Sequence, residues 1–536
     1  MSEEKKRPRS PVSRPLVALG ASSGFLAGFT ALAVAELVAG VVRPQASPLV
    51  AVGGAAIDRT PAVVKDWAIR SFGTNDKLVL QIGMLVVLSG IALALGIVAL
   101  RYRRIGAGIV LALGALGAVA AMSRPDSTSS TDALPSVVGA VAGAAVLYLL
   151  AGRLLASRQA PHDGEERHGA VGAGWDRRGF VITATAAAAA STGAGVLGRS
   201  LGRSSGRAAA ASRDSIAVPA PGSPAPPAPR AAQVRVAGVS PFVTPTEDFY
   251  RVDTALVVPK VDAGKWRLRI HGTGVRRPLT VSFDDLLARE LIERHITLTC
   301  VSNEVGGPYV GNARWIGVRL ADLLEECGVV PPSKGGRADQ LVARSVDGMT
   351  IGSPVEDVMD GRDAMLALGM NGAPLPFEHG FPVRMLVPGL YGYVSACKWI
   401  EDIELTTFDA YDAYWVRRDW SREAPVKTQS RIDTPKPFAR PKAGTVMVAG
   451  VAWAQSRGID RVEVRVDDGP WQEAALAAED TRDTWRQWSF PWRATHGGHT
   501  LTVRATDRTG QVQTGKRTRT VPDGASGRHS VVVTVE

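Results

Sequence analysis

A multi-domain architecture is predicted: an N-terminal α-helical transmembrane bundle, an α+β domain and a C-terminal antiparallel β-sandwich. Three features predict it. The five longest apolar stretches of the 536-residue chain all fall before residue 200. Mixed helical and strand periodicity follows, after a stretch rich in Ala, Pro, Ser and Gly. The C-terminal part then alternates apolar and polar residues between glycine-bearing turns. A chain of this length exceeds what one hydrophobic core serves, so several folded units are expected.

Residues 1–198 form the membrane region. Leu16–Val42, Leu78–Leu100, Ile105–Met122 and Leu134–Ala151 are each long enough for a hydrocarbon core that needs roughly 17–25 apolar residues. Buried helices of a soluble protein are the alternative, but several such runs in series, joined by short polar loops, argue for spans. Basic residues collect in Lys5-Lys6-Arg7 and Arg101-Tyr102-Arg103-Arg104, which places both segments on the cytoplasmic side. The loop after the fourth span is then cytoplasmic too, and it ends in Trp175-Asp176-Arg177-Arg178-Gly179-Phe180-Val181-Ile182. An arginine pair ahead of an Ala- and Gly-rich apolar segment resembles a twin-arginine export signal, here internal and acting as a fifth span over 179–198. This topology predicts a multi-pass protein of a bacterial plasma membrane, with all that follows on the extracytoplasmic side. Glu36, the one acidic residue inside a span, is expected to reach the interface near its outer end.

Residues 199–238 hold too few large apolar side chains to build a core, notably over Val218–Pro229, and read as a tether. Over 239–412, strands such as Trp266–Ile270 and Ile296–Cys300 alternate with helical segments such as Leu320–Cys327, hence an α+β domain. Over 427–536, Arg461–Asp467, Thr500–Thr506 and Ser530–Val535 alternate between Asp-Gly, Gly-Gly and Thr-Gly turns. Short alternating strands at this spacing predict the sandwich, with Trp453, Trp471, Trp485, Trp488 and Trp492 as candidate core or interface aromatics. No acid, base and nucleophile cluster stands out there, which gives it a structural role.

Charge and cysteine usage narrow the chemistry. The net charge of +11 gathers in the basic tail and in short loops between apolar runs, a topology signal that sets nucleic acid aside as a partner. Three cysteines, Cys300, Cys327 and Cys397, without a C-x-x-C, exclude a disulfide framework, a thiolate zinc site and a four-cysteine iron–sulfur cluster. All eight histidines lie outside the spans, so no haem is expected between them. Neither haem nor iron–sulfur cluster is expected in this chain, and electrons must then pass to a separate carrier, a cytochrome or a quinone-linked membrane protein.

Cys300 ends the β-rich run Ile296-Thr297-Leu298-Thr299-Cys300 and meets the loop Val301-Ser302-Asn303-Glu304-Val305-Gly306-Gly307-Pro308. A thiol at a strand end facing a glycine loop is open to a ligand, although a lone cysteine is more often a small buried hydrophobe. Downstream, Met370-Asn371-Gly372-Ala373-Pro374-Leu375-Pro376-Phe377-Glu378-His379-Gly380-Phe381-Pro382-Val383-Arg384 runs into Val387-Pro388-Gly389 and then Lys398-Trp399. This order, with Cys300 and Asn303 in a C-x-x-N context, resembles the sulfite oxidase family from about Phe249 to the C-terminus. The resemblance implies a molybdenum-molybdopterin cofactor with Cys300 as catalytic residue and metal ligand. It further implies cofactor binding by Phe249, Tyr250, Asn303, His379, Arg384 and Lys398, and an immunoglobulin-like C-terminal domain that forms a homodimer. The chemistry agrees: molybdenum takes soft sulfur ligands, and a cofactor phosphate suits the Arg384 fork, the Lys398 point charge and a His379 donor. Asn303 is read as steadying the cysteine loop or touching the pterin, with a plain turn-capping asparagine as the equal alternative.

The family recognises a small dianion with arginines that this chain lacks. Phe249-Tyr250-Arg251-Val252-Asp253-Thr254 stands where an F-x-x-R-N-H-like segment is expected, Glu304 follows Asn303, and Met349-Thr350-Ile351 stands where a tyrosine is expected. The first of these segments is more similar to the bacterial protein-methionine-sulfoxide reductase branch. The expected activity is oxygen-atom or two-electron transfer on a small sulfur-containing substrate, with sulfite disfavoured. A non-enzymatic exported surface protein with a structural cysteine is the alternative; a transporter is disfavoured by the scarcity of polar residues in the spans.

Overall fold

The computed structural model describes residues 14–60, 64, 71–72, 76–124, 127, 129–155 and 177–536. Lys5-Lys6-Arg7, His162, His168 and Trp175-Asp176 lie outside the described residues. The chain divides into two compact units, one reaching Arg207 and including Ala255–Val257, the other made of Ala208–Thr254 and Val258–Glu536.

The first unit is helical: α1 (Arg14–Val42), α2 (Pro48–Arg59), α3 (Asp76–Ala99), α4 (Arg103–Met122), α5 (Leu134–Leu155) and most of α6 (Arg177–Asp214). Among the described residues five helices, all but α2, are long and apolar enough to cross a membrane. Small residues let their backbones meet: a Cβ on Gly24 would lie 2.0 Å from the Ala92 carbonyl, and one on Gly139 would lie 2.4 Å from that of Ala31. Large apolar side chains face outward instead, Val86 at 65% exposure and Leu116 at 61%, the reverse of a water-soluble bundle. Glu36, expected to reach the interface, accepts a hydrogen bond from the Ser47 hydroxyl just beyond α1. The helix α2 has no counterpart in the sequence reading, because its apolar run is too short to span and is opened by Pro48.

The fifth span and the tether need correction. The helix expected over 179–198 continues as α6 to Asp214, so the first part of the 199–238 segment is helical. Its alanine run, Ala208–Ala211, has the strongest helix propensity of any residue type, which outweighs the lack of apolar bulk. The remainder is docked instead of free. Ser223 adds to a strand edge through Ser223 N–Leu291 O at 3.2 Å and Glu293 N–Ser223 O at 2.9 Å, and Val234 N donates to Gln487 Oε1 at 2.7 Å. Proline-rich extended chain has no internal hydrogen bonds, so its amides and carbonyls satisfy themselves on neighbouring elements.

The second unit begins with two five-stranded sheets. One is ordered β2 (Leu279–Ser282), β1 (Arg267–Gly272), β10 (Ile400–Thr406), β5 (Gln340–Ser345) and β6 (Thr350–Pro354), with β1 and β10 parallel. The other holds β3 (Leu291–Thr299), β4 (Val310–Arg319), β7 (Met365–Met370) and β8 (Ala373–Pro374), with β9 (Arg384–Leu386) also on β7. Short helices, α7 (Phe283–Leu287), α8 (Leu320–Glu326), α9 (Val355–Met359) and α10 (Gly392–Ser395), connect them. One apolar core serves both sheets, and Cys327 lies in it.

The C-terminal region consists of two four-stranded antiparallel sheets around a second core. Their orders are β11 (Gln429–Thr434), β12 (Gly444–Trp453), β16 (Arg486–Ala494), β15 (Ala475–Leu476) and β14 (Gln472–Glu473), β13 (Ile459–Val466), β17 (Gly497–Asp507), β18 (His529–Val535). The five tryptophans divide among three environments: Trp488 and Trp492 fill this core, Trp453 and Trp485 join the core of the preceding sheets, and half-buried Trp471 stacks against Arg465, Arg504 and Arg528.

Candidate active site

Cys300 follows β3 directly and is 8% exposed. Its N–H donates to the Tyr309 carbonyl at 2.9 Å, its carbonyl accepts from Asn303 N at 3.0 Å, and Asn303 Oδ1 accepts from Tyr309 N at 2.8 Å. Asn303 thus caps the turn that follows Cys300 and ties it to Tyr309. Burial pushes the Cys300 thiol up, opposed by hydrogen bonds from Ser302 and by the charge of Lys398.

Phe249 organises the aromatic side of the site. It stacks on Tyr250 at 5.2 Å and meets Trp315 and His379 edge to face at 5.7 and 5.6 Å. Trp315 is buried in β4, with Nε1 donating to the Ile296 carbonyl at 3.1 Å. Burial pushes the Tyr250 phenol well up, Cys300 adds to this, and Arg384 opposes it.

The segment after β8 supplies the cationic side. His379 ends a short 3-10 turn and donates from Nε2 to the Thr246 carbonyl at 3.3 Å. Its pKa is lowered to about 4 by burial, then by the charges of Arg384 and Lys398, so the ring is neutral. Arg384 opens β9 at 7% exposure, 5.3 Å from the Trp315 ring, with Nη1 donating to the His379 carbonyl at 3.4 Å. Burial lowers its pKa to about 10. Its Nε is buried without a hydrogen-bond partner, an expensive arrangement for a guanidinium. Gly380, at φ 109, permits the close approach: a Cβ there would lie 3.0 Å from Arg384 Cβ and 3.1 Å from Lys398 Cβ.

Lys398, expected as a point charge for phosphate, has a carboxylate beside it. Its Nζ sits 2.9 Å from Asp253 Oδ2, a carboxylate whose side chain is 2% exposed and which also pairs with Arg251 at 2.8 Å. A buried carboxylate so placed offsets the lysine's charge. The structure therefore brings Phe249, Tyr250, Cys300, His379, Arg384 and Lys398 into one neighbourhood, with Asn303 behind the cysteine. Sequence reading missed Trp315 and Tyr391. Tyr391 directly follows the Val387-Pro388-Gly389 turn and Leu390, and its buried phenol is pushed up by burial, with Cys300 among the charges that add to this. Glu304 is exposed, and Thr350, where a tyrosine is expected, shares a 3.1 Å hydrogen bond with the Tyr411 hydroxyl.

These residues fit an anionic, metal-bearing cofactor. Arg384 Nε lacks a partner, and Cys300 presents one thiol at a strand end. Among the described residues no group of three or more His, Cys, Asp or Glu side chains is placed to hold a metal ion.

Comparison with known proteins agrees with the geometry. Residues 255–415 match the family model described as oxidoreductase molybdopterin binding domain, a stretch that includes Cys300, Asn303, His379, Arg384 and Lys398. Mitochondrial sulfite oxidase of Rattus norvegicus is 30% identical over 290 residues, covering 46% of this chain and 53% of that protein. The chain thus spans about half the length of such relatives. The oxidoreductase YuiH of Bacillus subtilis is 32% identical over 182 residues, 34% of this chain and 85% of that one. The sulfane dehydrogenase SoxCD structure from Paracoccus pantotrophus aligns with 55% of this chain and 84% of its own at 25% identity, with a TM-score of 0.47. The molybdopterin binding domain and the oxidoreductase relatives set the non-enzymatic alternative aside. With a molybdopterin-binding domain laid over the cysteine, histidine and arginine of the site, and a relative matched along most of its length, the chain belongs to the sulfite oxidase family of molybdopterin-dependent oxidoreductases.

Proposed function

We propose that the chain is a membrane-anchored enzyme that transfers an oxygen atom and two electrons to or from a small, sulfur-containing substrate at a molybdenum cofactor ligated by Cys300. The observation that carries this reading is the buried Arg384 guanidinium with an unpartnered Nε, set beside neutral His379 and in the neighbourhood of Cys300 at the end of β3. When bound, the cofactor supplies the redox and oxygen-transfer chemistry. The protein's part is to hold and shape. Arg384 and His379 receive the phosphate end, Phe249 and Tyr250 offer stacking faces, Asn303 fixes the cysteine loop, and Lys398 acts as a cation steadied by Asp253.

Sulfite is disfavoured, because Glu304 and the neutral Thr350 stand where the family places an arginine and a tyrosine, leaving fewer donors for a small dianion. A sulfoxide or another small oxo compound reduced, or a different sulfur oxyanion oxidised, fits better. A separate cytochrome or quinone-linked membrane protein exchanges the electrons. The five apolar helices support anchoring in a bacterial plasma membrane, and the basic loop Arg101–Arg104 and the Arg177-Arg178 pair support an extracytoplasmic catalytic unit. The C-terminal sheets are read as an immunoglobulin-like dimerisation domain.

The decisive experiment is molybdenum and pterin analysis of the purified chain from a host that makes the cofactor. Wild type is expected to hold one molybdenum per chain, and Cys300→Ala to fold but lose turnover by at least about 10³-fold, more than ~4 kcal/mol of barrier. A turnover screen with sulfite, sulfoxides and N-oxides then ranks substrates. Molybdenum-free wild type, or an active Cys300→Ala, defeats the reading.

A further inference from the structure

The loop after Cys300 is gripped from a part of the chain that carries no family motif. Arg431, in β11, is 9% exposed, and all three of its nitrogen positions have partners. Nε donates to Asp433 Oδ1 at 2.7 Å, Nη2 to Ser240 Oγ at 3.0 Å, and Nη1 to the Gly307 carbonyl at 2.9 Å. Asp433 Oδ2 closes the network by accepting from Ser240 N at 3.0 Å. Beside it, His529 accepts the Ile432 N–H on Nδ1 at 3.0 Å, and its far edge lies on Gly306. A Cβ on Gly306 would stand 2.1 Å from His529 Cδ2 and 2.4 Å from Nε2, and the residue's φ of +80 already favours glycine. The glycine pair in turn abuts the cysteine's own brace, since a Cβ on Gly307 would lie 2.6 Å from Asn303 Oδ1.

Fixed contacts therefore run from the C-terminal sheets through Gly307 and Asn303 to Cys300. We infer that Arg431 and His529 are positioning residues for Cys300, fixing the loop 301–308 and with it the direction in which the thiolate meets the metal. The inference rests on Cys300 being that ligand. A planar guanidinium can tie three chain segments at once, which a single ammonium cannot, and a buried ion pair of this kind contributes more to geometry than to net stability. Groups one step removed from a metal ligand tune the metal as well as hold the ligand.

The test uses the full chain loaded with cofactor, in Arg431→Lys, Gly306→Ala and Gly306→Ala/His529→Ala. Molybdenum per chain, the electron paramagnetic resonance spectrum of the partly reduced metal, kcat and KM are measured. Loaded Arg431→Lys is expected to show displaced g-values and a kcat lower by about ten- to a hundredfold, with KM nearly unchanged. Gly306→Ala, which drives a Cβ against the His529 ring, should displace the same signal, and removing that ring on the same background should relieve the clash yet leave the g-values displaced, because the loop then lacks its His529 contact. A wild-type spectrum and kcat in loaded Arg431→Lys, whatever its melting temperature, reduces Arg431 to a strut and overturns the inference. Should Arg431→Lys not fold, an unshifted spectrum in Gly306→Ala overturns it equally. Wild type without molybdenum defeats the cofactor reading itself, an outcome distinct from unshifted spectra in loaded variants.

Discussion

The two β-rich parts of the larger unit meet at one strand and treat it differently. The α+β part brings reactive and charged groups to the end of β3: the Cys300 thiol, the Tyr250 phenol, neutral His379 and the Arg384 guanidinium. The C-terminal sheets aim no group at the thiol; they brace the loop behind it with Arg431 and His529 and hold the strand's backbone. Gln455 Nε2 donates to the Thr297 carbonyl at 2.9 Å and to Thr299 Oγ1 at 3.0 Å, Trp485 N donates to Thr297 Oγ1 at 2.7 Å, and Thr297 N donates to the Asp483 carbonyl at 2.9 Å. Buried His295 pairs with Asp480 at 2.8 Å on the same strand. The difference teaches that a site with uncompensated buried charge cannot also be its own scaffold. Polar groups poised for a ligand destabilise their surroundings, so rigidity is supplied by sheets that have a separate core.

The sharpest way to break this division is Arg384→Leu. In cofactor-free protein the change removes a buried charge whose Nε has no partner, so fold stability should stay level or rise. In loaded protein, with the phosphate held as proposed, it would remove half of a buried charge pair, and cofactor retention should weaken by about 2–5 kcal/mol. Chemical denaturation of the apo form and cofactor release from the loaded form read the two effects. A large fall in apo stability with retention intact would make Arg384 scaffold and erase the contrast.

The same division explains what was legible in the sequence. Motif order singled out Cys300, His379 and Arg384 because chemistry constrains residue type, and the fold gathers the three in one neighbourhood. Element type was legible too, since β3, α8 and β18 follow the apolar periodicity of their segments within a few residues. Pairing was not. Nothing local to Lys398 signals that its charge meets Asp253, 145 positions away. Gly306 and Gly307 read as ordinary loop glycines, whereas their lack of side chains also serves His529 and Asn303, which only the folded chain brings against them. The Ala-rich run after residue 198 read as tether because it lacks core-forming bulk, yet alanine propensity and docking contacts, such as Arg213 Nε donating to the Leu375 carbonyl at 2.8 Å, carry α6 to Asp214.

Acid titration separates the two parts more finely. His379 in one and His529 in the other each have a pKa lowered to about 4, with burial the largest cause and positive neighbours next, Arg384 and Lys398 for the first and Arg431 and Arg517 for the second, with Asp433 opposing. Below an ordinary value of roughly 6.5 the unfolded chain takes up protons that the folded chain refuses. Stability is therefore level above about 6.5 and falls as pH drops toward about 4, by at most ~3 kcal/mol per imidazole. A phosphate beside His379 would raise its pKa and cancel its share, while leaving that of His529. Denaturation midpoints from neutral to acid pH, with and without cofactor, should show His379→Gln flattening the slope only in apo protein and His529→Gln flattening it in both. Identical behaviour of His379→Gln in the two forms would move the phosphate away from that ring.

The smallest effect probes the scaffold alone. Gln455 is fully buried, and its Nε2 serves two acceptors on β3 while its Oε1 receives no donor. Gln455→Leu keeps the volume and removes an unsatisfied oxygen, but it strands the Thr297 carbonyl and deprives Thr299 Oγ1 of a donor. The balance should be a loss of about 1–2 kcal/mol of fold stability, because a stranded buried acceptor outweighs the relief of another. Cofactor retention should change by less than the stability does, since neither acceptor belongs to the cationic side of the site. If retention fell as far as in Arg384→Leu while stability held, β3 would be set by the ligand it presents, and the C-terminal sheets would be passengers on it.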